Sequence, residues 1–333
     1  MKKYKEITLM SAFLCLAVIM IHITAVPATS LEWGSAAHIV MFAVNKVLTF
    51  AVPGFIFLSG FKLYSKYGGG KMSLLEFFHG RLLKIIVPYL ISVAVYFACK
   101  LSVGWVSFAK LPEYIFLGTL DAHFYYVVIA VQLYLLFPLL KWIFDKLPIT
   151  VTVISLASTI LLNQFVWFTY SDRFFATYLF YFVFGMLFAR YKFYAKTKVF
   201  GIIGIIASTA VGVWHFATLY NALLTNVMYK WFGIVNVLYV TLSIMALISI
   251  FAWISKSDVI DSLARALDGA SYDIYLYHLL PVTFIQSYVT PRLGLSIREQ
   301  FILSFVVIYG LAFAYAYLKN KFIIYRKNKN TAV

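Results

Sequence analysis

The chain is 333 residues long, 63% hydrophobic and only 12% charged, with a mean hydropathy of +0.89. A soluble domain carries roughly 25% charged residues, so a soluble fold is excluded; a transmembrane barrel, which needs alternating segments of about ten residues, is excluded by continuous apolar runs. The net charge of +16 comes from 28 basic residues in short clusters between those runs, which points to membrane topology and away from nucleic acid.

Apolar runs between charged or Gly/Pro-marked breaks predict ten transmembrane helices, near 7–26, 36–61, 82–101, 122–141, 149–169, 174–190, 199–219, 231–254, 272–290 and 300–319. The expected fold is therefore an all-α polytopic membrane helical bundle, one integral domain over 1–333 with a basic C-terminal tail from about 320. With an even number of spans both termini share a side. That side collects 21 Lys and Arg against six opposite, with Lys46 inside a span, so both termini are expected to be cytoplasmic. The expected location is a cell (plasma) membrane, multi-pass, with lipids as neighbours. The start of the chain, Lys2 to Lys5 before an apolar run and Val26-Pro27-Ala28, has the outline of a cleavable leader. The run is long for one and proline spoils the small-residue site, so a retained first helix is expected.

In chain order, the first helix carries His22, about 22 Å along it at 1.5 Å per residue from Ile7. Cys15, Ser11 and Thr8 recur at helical spacing on nearly the same face, which suggests contact with protein or water. An intramembrane histidine is a functional candidate; a packing hydrogen bond to a neighbouring helix explains it equally well. In the second span Asn45 and Lys46 are polar groups at depth, facing either a site or a structural partner. The short stretch Ser73 to Lys84 reads as a surface helix with Leu74, Leu75, Phe77 and Phe78 against lipid or protein. Gly68-Gly69-Gly70 is a turn, without the Lys-Ser/Thr of a phosphate loop.

Arg81 and Lys84, three apart at the mouth of the third span, share a helix face. They fit either a phosphate-bearing ligand or simple headgroup anchoring. Asp121, His123 and Tyr125 open the fourth span with an aromatic cluster that suits an interface belt or a sugar-binding mouth. The fifth and sixth spans, separated by Tyr170 to Arg173, should form a tight hairpin. His278 lies in the ninth span, ahead of Pro281, and Asp273 falls near its start. No metal motif or serine-nucleophile elbow is present.

Taken together these segments resemble the acyltransferase-3 family of bacterial membrane proteins, including polysaccharide-modifying members. The likeness runs in order over most of the chain. It comprises Val18-Ile-Met-Ile-His22, Val52-Pro-Gly-Phe-Ile-Phe-Leu-Ser-Gly-Phe61 and Phe77-Phe-His-Gly-Arg-Leu-Leu-Lys-Ile-Ile-Val-Pro-Tyr89. It continues with His123-Phe-Tyr-Tyr-Val, Tyr134-Leu-Leu-Phe-Pro138, Tyr181-Phe-Val-Phe-Gly185 and Ser271-Tyr-Asp-Ile-Tyr-Leu-Tyr-His278.

The resemblance implies O-acylation of a cell-envelope glycan, or its lipid-linked precursor, from cytoplasmic acyl-CoA, with acetyl-CoA the expected donor substrate and no metal. His22 matches the family's essential histidine, and Arg81 with Lys84 matches its basic pair on the third helix. Lys46, Asn45, Asp121, His123, Tyr125 and His278 are the expected substrate or pocket residues. One position departs: the family places Arg or Lys eleven residues before the histidine, where this chain has Ser11. Two other readings stand beside transfer, a transporter for a glycan or small polar solute and a silent subunit of a polysaccharide synthesis complex. The expected partners are a carbohydrate acceptor and either that complex or a second copy of the chain.

Overall fold

The structure is a computed structural model that describes residues 4–166, 168–193, 197–255 and 257–331. Lys2, Lys3, Lys196 and Lys256, counted above on the terminal side, lie outside the described residues, as do Ala332 and Val333 of the tail.

Among the described residues all regular structure is helical. In chain order the helices are α1 (Lys5–Ala25), α2 (Pro27–Ser30), α3 (Ala36–Val47), α4 (Ala51–Tyr67), α5 (Leu74–Arg81), α6 (Val87–Leu101), α7 (Leu111–Leu117) and α8 (Tyr125–Lys146). They continue as α9 (Pro148–Phe165), α10 (Leu179–Tyr191), α11 (Thr197–Leu224), α12 (Ile234–Ile254), α13 (Asp258–Tyr277), α14 (Leu279–Phe284), α15 (Thr290–Leu293) and α16 (Ile297–Thr331).

Among the described residues eight helical runs are long and apolar enough to cross a membrane: Lys5–Ser30, Ala36–Tyr67, Leu74–Leu101, Tyr125–Lys146, Pro148–Phe165, Gly201–Leu224, Ile234–Ile254 and Ile297–Arg326. They coincide with eight of the ten expected spans. The sixth expected span is the apolar but short α10, of 13 residues. The ninth is the broken run from α13 to α15.

The breaks have local causes. Pro281 has no N–H to donate to the carbonyl of Tyr277, and α13 ends there, with His278 N–H still bonded to Ile274 O at 2.9 Å. A wider, π-helical turn follows at Ile285–Val289, ahead of Pro291. The same pairing of proline and π turn occurs at Leu82–Ile86, just before Pro88. Pro88 cannot bond the Lys84 carbonyl, and Val87 N–H reaches back to Leu82 O instead. Helix starts follow ordinary capping: Ser35 accepts from His38 N–H at 3.2 Å and Ser73 from Glu76 N–H at 3.4 Å.

The chain divides into two compact units. One runs from Val52 to Ile244; the other joins the N-terminal residues through Ala51 to the segment from Met245 onward.

In the first unit α4 and α10 meet at two glycines. A Cβ on Gly60 would collide with the Phe182 carbonyl, and one on Gly185 with the Phe57 carbonyl, while lying 2.7 Å from the Phe61 nitrogen. Only glycine permits this approach of two backbones, which is how helices associate in lipid, where packing replaces the hydrophobic drive. Phe57 fills the adjoining space, 5.6 Å from Phe184 and 5.3 Å from Phe188 between ring centres. A polar clasp ties α4, α8 and α10 together. Tyr64 donates to Asp145 at 2.6 Å, Lys141 pairs with the same carboxylate at 2.8 Å, and Arg190 reaches the Tyr64 hydroxyl at 3.2 Å. The expected hairpin forms between α9 and α10, where Asn163 donates to the Thr177 carbonyl at 3.0 Å. Its connection is longer than four residues, because two short 3-10 turns, Ser171–Arg173 and Phe175–Thr177, precede α10.

In the second unit α1 packs on α13 and α16. Small buried residues line the contact, among them Ser11, Ala12, Cys15, Ala270, Ala312 and Ala316. Cys15 Sγ lies 3.8 Å from the Ser271 carbonyl, and the Tyr309 hydroxyl donates to Leu16 O at 2.8 Å. The stripe Thr8, Ser11, Cys15 therefore faces protein, one of the two surroundings expected for it. Asp273, read from the sequence as near a helix end, lies well inside a helix that begins at Asp258, 14 residues before the expected span. The early start comes from the amphipathic segment Asp258 to Asp268, too polar to be taken for a span.

Candidate active site

His22 stands in the last turn of α1, half-buried. The helix is pinned around it. Asn45 of α3 donates to the Ile21 carbonyl at 2.8 Å and to Thr24 Oγ1 at 3.2 Å, and Thr24 donates to Met20 O at 2.7 Å. Asn45, expected in a pocket, thus clamps the backbone next to His22.

The decisive partner comes from the far end of the chain. The His278 ring lies 5.0 Å from the His22 ring, centre to centre, tilted by 51°. His278 is buried, and its Nδ1 is 2.8 Å from the Tyr275 carbonyl. A carbonyl only accepts, so Nδ1 carries the proton and Nε2 is the basic nitrogen. Position follows from the break at Pro281, since His278 occupies the single residue between α13 and α14.

Lys46, on the next residue of α3 after Asn45, is half-buried with its ammonium 5.3 Å from the centre of the Phe42 ring. Phe42 stacks on His38, whose ring meets that of Trp33, ahead of α3, at 4.3 Å and a tilt of 44°. His22, His278, Asn45 and Lys46 all belong to the second unit; Arg81, Lys84, Asp121, His123 and Tyr125 belong to the first.

Within the first unit the expected basic pair is asymmetric. Arg81 is half-buried, its guanidinium over the rings of Phe77 (6.0 Å) and Tyr134 (5.8 Å), whereas Lys84 is exposed on the π turn. The turn between them is π-helical, so the α-helical spacing from which a shared face was expected does not apply unchanged. Asp121 is engaged by Lys100 at 3.0 Å, His123 is buried against Tyr96 and Phe124, and Tyr125 opens α8 half-buried.

The polar cluster that sequence reasoning missed lies on α13 and α16. Asp273 accepts from the Tyr315 hydroxyl and from Lys319, each at 2.6 Å. Tyr315 and Lys319 are four apart, and that spacing was the available signal. Lys5, the only basic residue of the described N-terminal stretch ahead of Ser11, is committed to Asp258 at 3.6 Å and Asp261 at 3.5 Å. Among the described residues no group of three or more His, Cys, Asp or Glu could hold a metal.

An acyltransferase-3 family model, described as an acyltransferase domain, matches residues 4–320. Neither the curated proteins nor the solved structures yield a match. The family match takes in His22, the basic helix entry and His278 in one stretch covering nearly the whole chain, and the chain belongs to the acyltransferase-3 family of membrane acyltransferases.

Proposed function

We propose that this protein transfers an acyl group from cytoplasmic acyl-CoA to a hydroxyl of a cell-envelope glycan or its lipid-linked precursor. The observation that carries the reading is the His22–His278 pair, two imidazoles in ring contact at a helix break inside the family domain. In this reading His22 takes the proton of the acceptor hydroxyl as its oxygen attacks the thioester carbonyl. The carbon–sulfur bond breaks, the new ester forms, and the proton passes to the departing thiolate. His278 holds the basic tautomer beside it. Positioned general bases of this kind contribute about 10²–10⁴-fold to a rate. Arg81 and Lys84 are the expected contacts for the donor's phosphates.

The test is transfer from labelled acetyl-CoA by the purified full chain in proteoliposomes supplied with envelope glycan. Loss of at least 10²-fold in His22→Ala supports the assignment, and equal activity in the two proteins sinks it.

One observation favours a second reading. Ser11 stands where the family carries a cation, and Lys5 is held by two carboxylates, so the usual basic group ahead of the histidine is not supplied by either residue. A silent subunit of a synthesis complex fits that loss. Glycan output unchanged by His22→Ala, but abolished by removing the whole protein, selects it.

A further inference from the structure

A cavity of about 410 Å³ lies within the second unit, against α1, α13, α14 and α16. This is within the range of roughly 300–1,000 Å³ typical of ligand pockets. Its apolar walls include Ile19, Ile274, Ile308, Leu311 and Ala312. His278, whose ring touches that of His22, forms part of the lining, and Ile19 sits one helical turn before His22 on α1. Leu311 and Tyr315 are 54% and 43% exposed in the middle of a helix long and apolar enough to span, so the cavity opens toward hydrocarbon.

The polar groups in the lining are largely spent on one another. Asp273 takes the Tyr315 hydroxyl and the Lys319 ammonium, which neutralise it, and His278 Nδ1 is turned to the Tyr275 carbonyl. A sugar needs several donors and acceptors directed at its hydroxyls, and these walls do not offer them; a hydrocarbon chain needs only apolar contact. An acetyl group would leave most of 410 Å³ unfilled.

We propose that this cavity receives the hydrocarbon of an acyl group longer than acetyl, with its carbonyl carbon at the His22–His278 pair. The proposal rests on the transfer reading above and names its donor class, a longer-chain acyl thioester. The bonds exchanged are those already given: acyl carbon to sulfur breaks, acyl carbon to acceptor oxygen forms, and the hydroxyl proton ends on the thiol.

The experiment is photolabelling of the purified full chain with an octanoyl-CoA that bears a diazirine at the chain end, with sites read by peptide mass spectrometry. The expected labels fall on the cavity segments of α1, α13, α14 and α16. Excess octanoyl-CoA should suppress them, while phospholipid at equal concentration should not. Leu311→Trp, at the exposed mouth where a larger side chain is tolerated, should cut labelling about tenfold. Labels spread over other helices, or equal suppression by phospholipid, overturn the proposal in favour of an ordinary lipid-filled groove.

Acyl transfer is measured in parallel with acetyl-CoA and octanoyl-CoA. Cavity labelling without transfer of either group keeps the chain site and overturns the transfer reading. Transfer of acetyl alone without cavity labelling does the reverse.

Discussion

The rings of His22 and His278, 256 residues apart in the chain, lie 5.0 Å from each other because α1 packs on α13 through small buried side chains. Under the proposed function His278 would act on the reaction through His22, as a positioning residue. His278→Gln should lower kcat by about one to two orders of magnitude while leaving the donor KM near that of the parent, a fraction of the roughly 10²–10⁴-fold that a general base supplies. The pH profile separates this role from a structural one. If His278 tunes its neighbour, the rate maximum moves in the Gln variant; an unshifted profile with a lower expression yield marks a packing residue.

Arg81 and Lys84 should not be equivalent. Arg81 lies over two aromatic rings, an arrangement worth about 0.5–2 kcal/mol that a lysine reproduces poorly. Arg81→Lys is expected to raise the acyl-CoA KM nearly as much as Arg81→Ala, and the exposed Lys84→Ala to raise it less. Titration of acyl-CoA binding by calorimetry checks the order, and equal effects at the two positions contradict it.

At Gly60 and Gly185 a side chain meets backbone, which cannot step aside. Gly60→Leu and Gly185→Val should each destabilise the contact of α4 with α10 by about 1–3 kcal/mol or more, as overpacking does in other cores. Thermal unfolding in detergent should show the loss. Gly80, whose Cβ would meet nothing within 4 Å, is the control, and Gly80→Ala should leave the midpoint unchanged.

Asn45→Ala removes the bond to the Ile21 carbonyl beside His22. Hydrogen bonds between membrane helices average about 0.6 kcal/mol, with a maximum near 1.7, so the folding loss should be small. The effect on kcat should exceed it, since the end of α1 that carries His22 is freed. Asn45→Leu, which keeps much of the shape but cannot donate to the carbonyl, should behave like the Ala variant. Full activity in both means that Asn45 does not position the histidine.

The sequence by itself determined the class of molecule. Spans of about 20 apolar residues need no tertiary information, because a backbone in lipid must satisfy its own hydrogen bonds and the helix does so locally. His22 and the basic helix entry stood out by residue type and position, and the family likeness added the roles expected of them.

Tertiary structure decided what those residues touch. That Asn45 serves the α1 backbone, that Lys5 is held by Asp258 and Asp261, and that Arg81 turns onto Phe77 and Tyr134 while Lys84 stays outside all depend on which helix lies alongside. Helical periodicity fixes the face a side chain leaves from but carries no information about the neighbour it meets. The pairing of His22 with His278 is of that kind, for it joins the first helix of the chain to one near its end, and only packing in space brings the two imidazoles together.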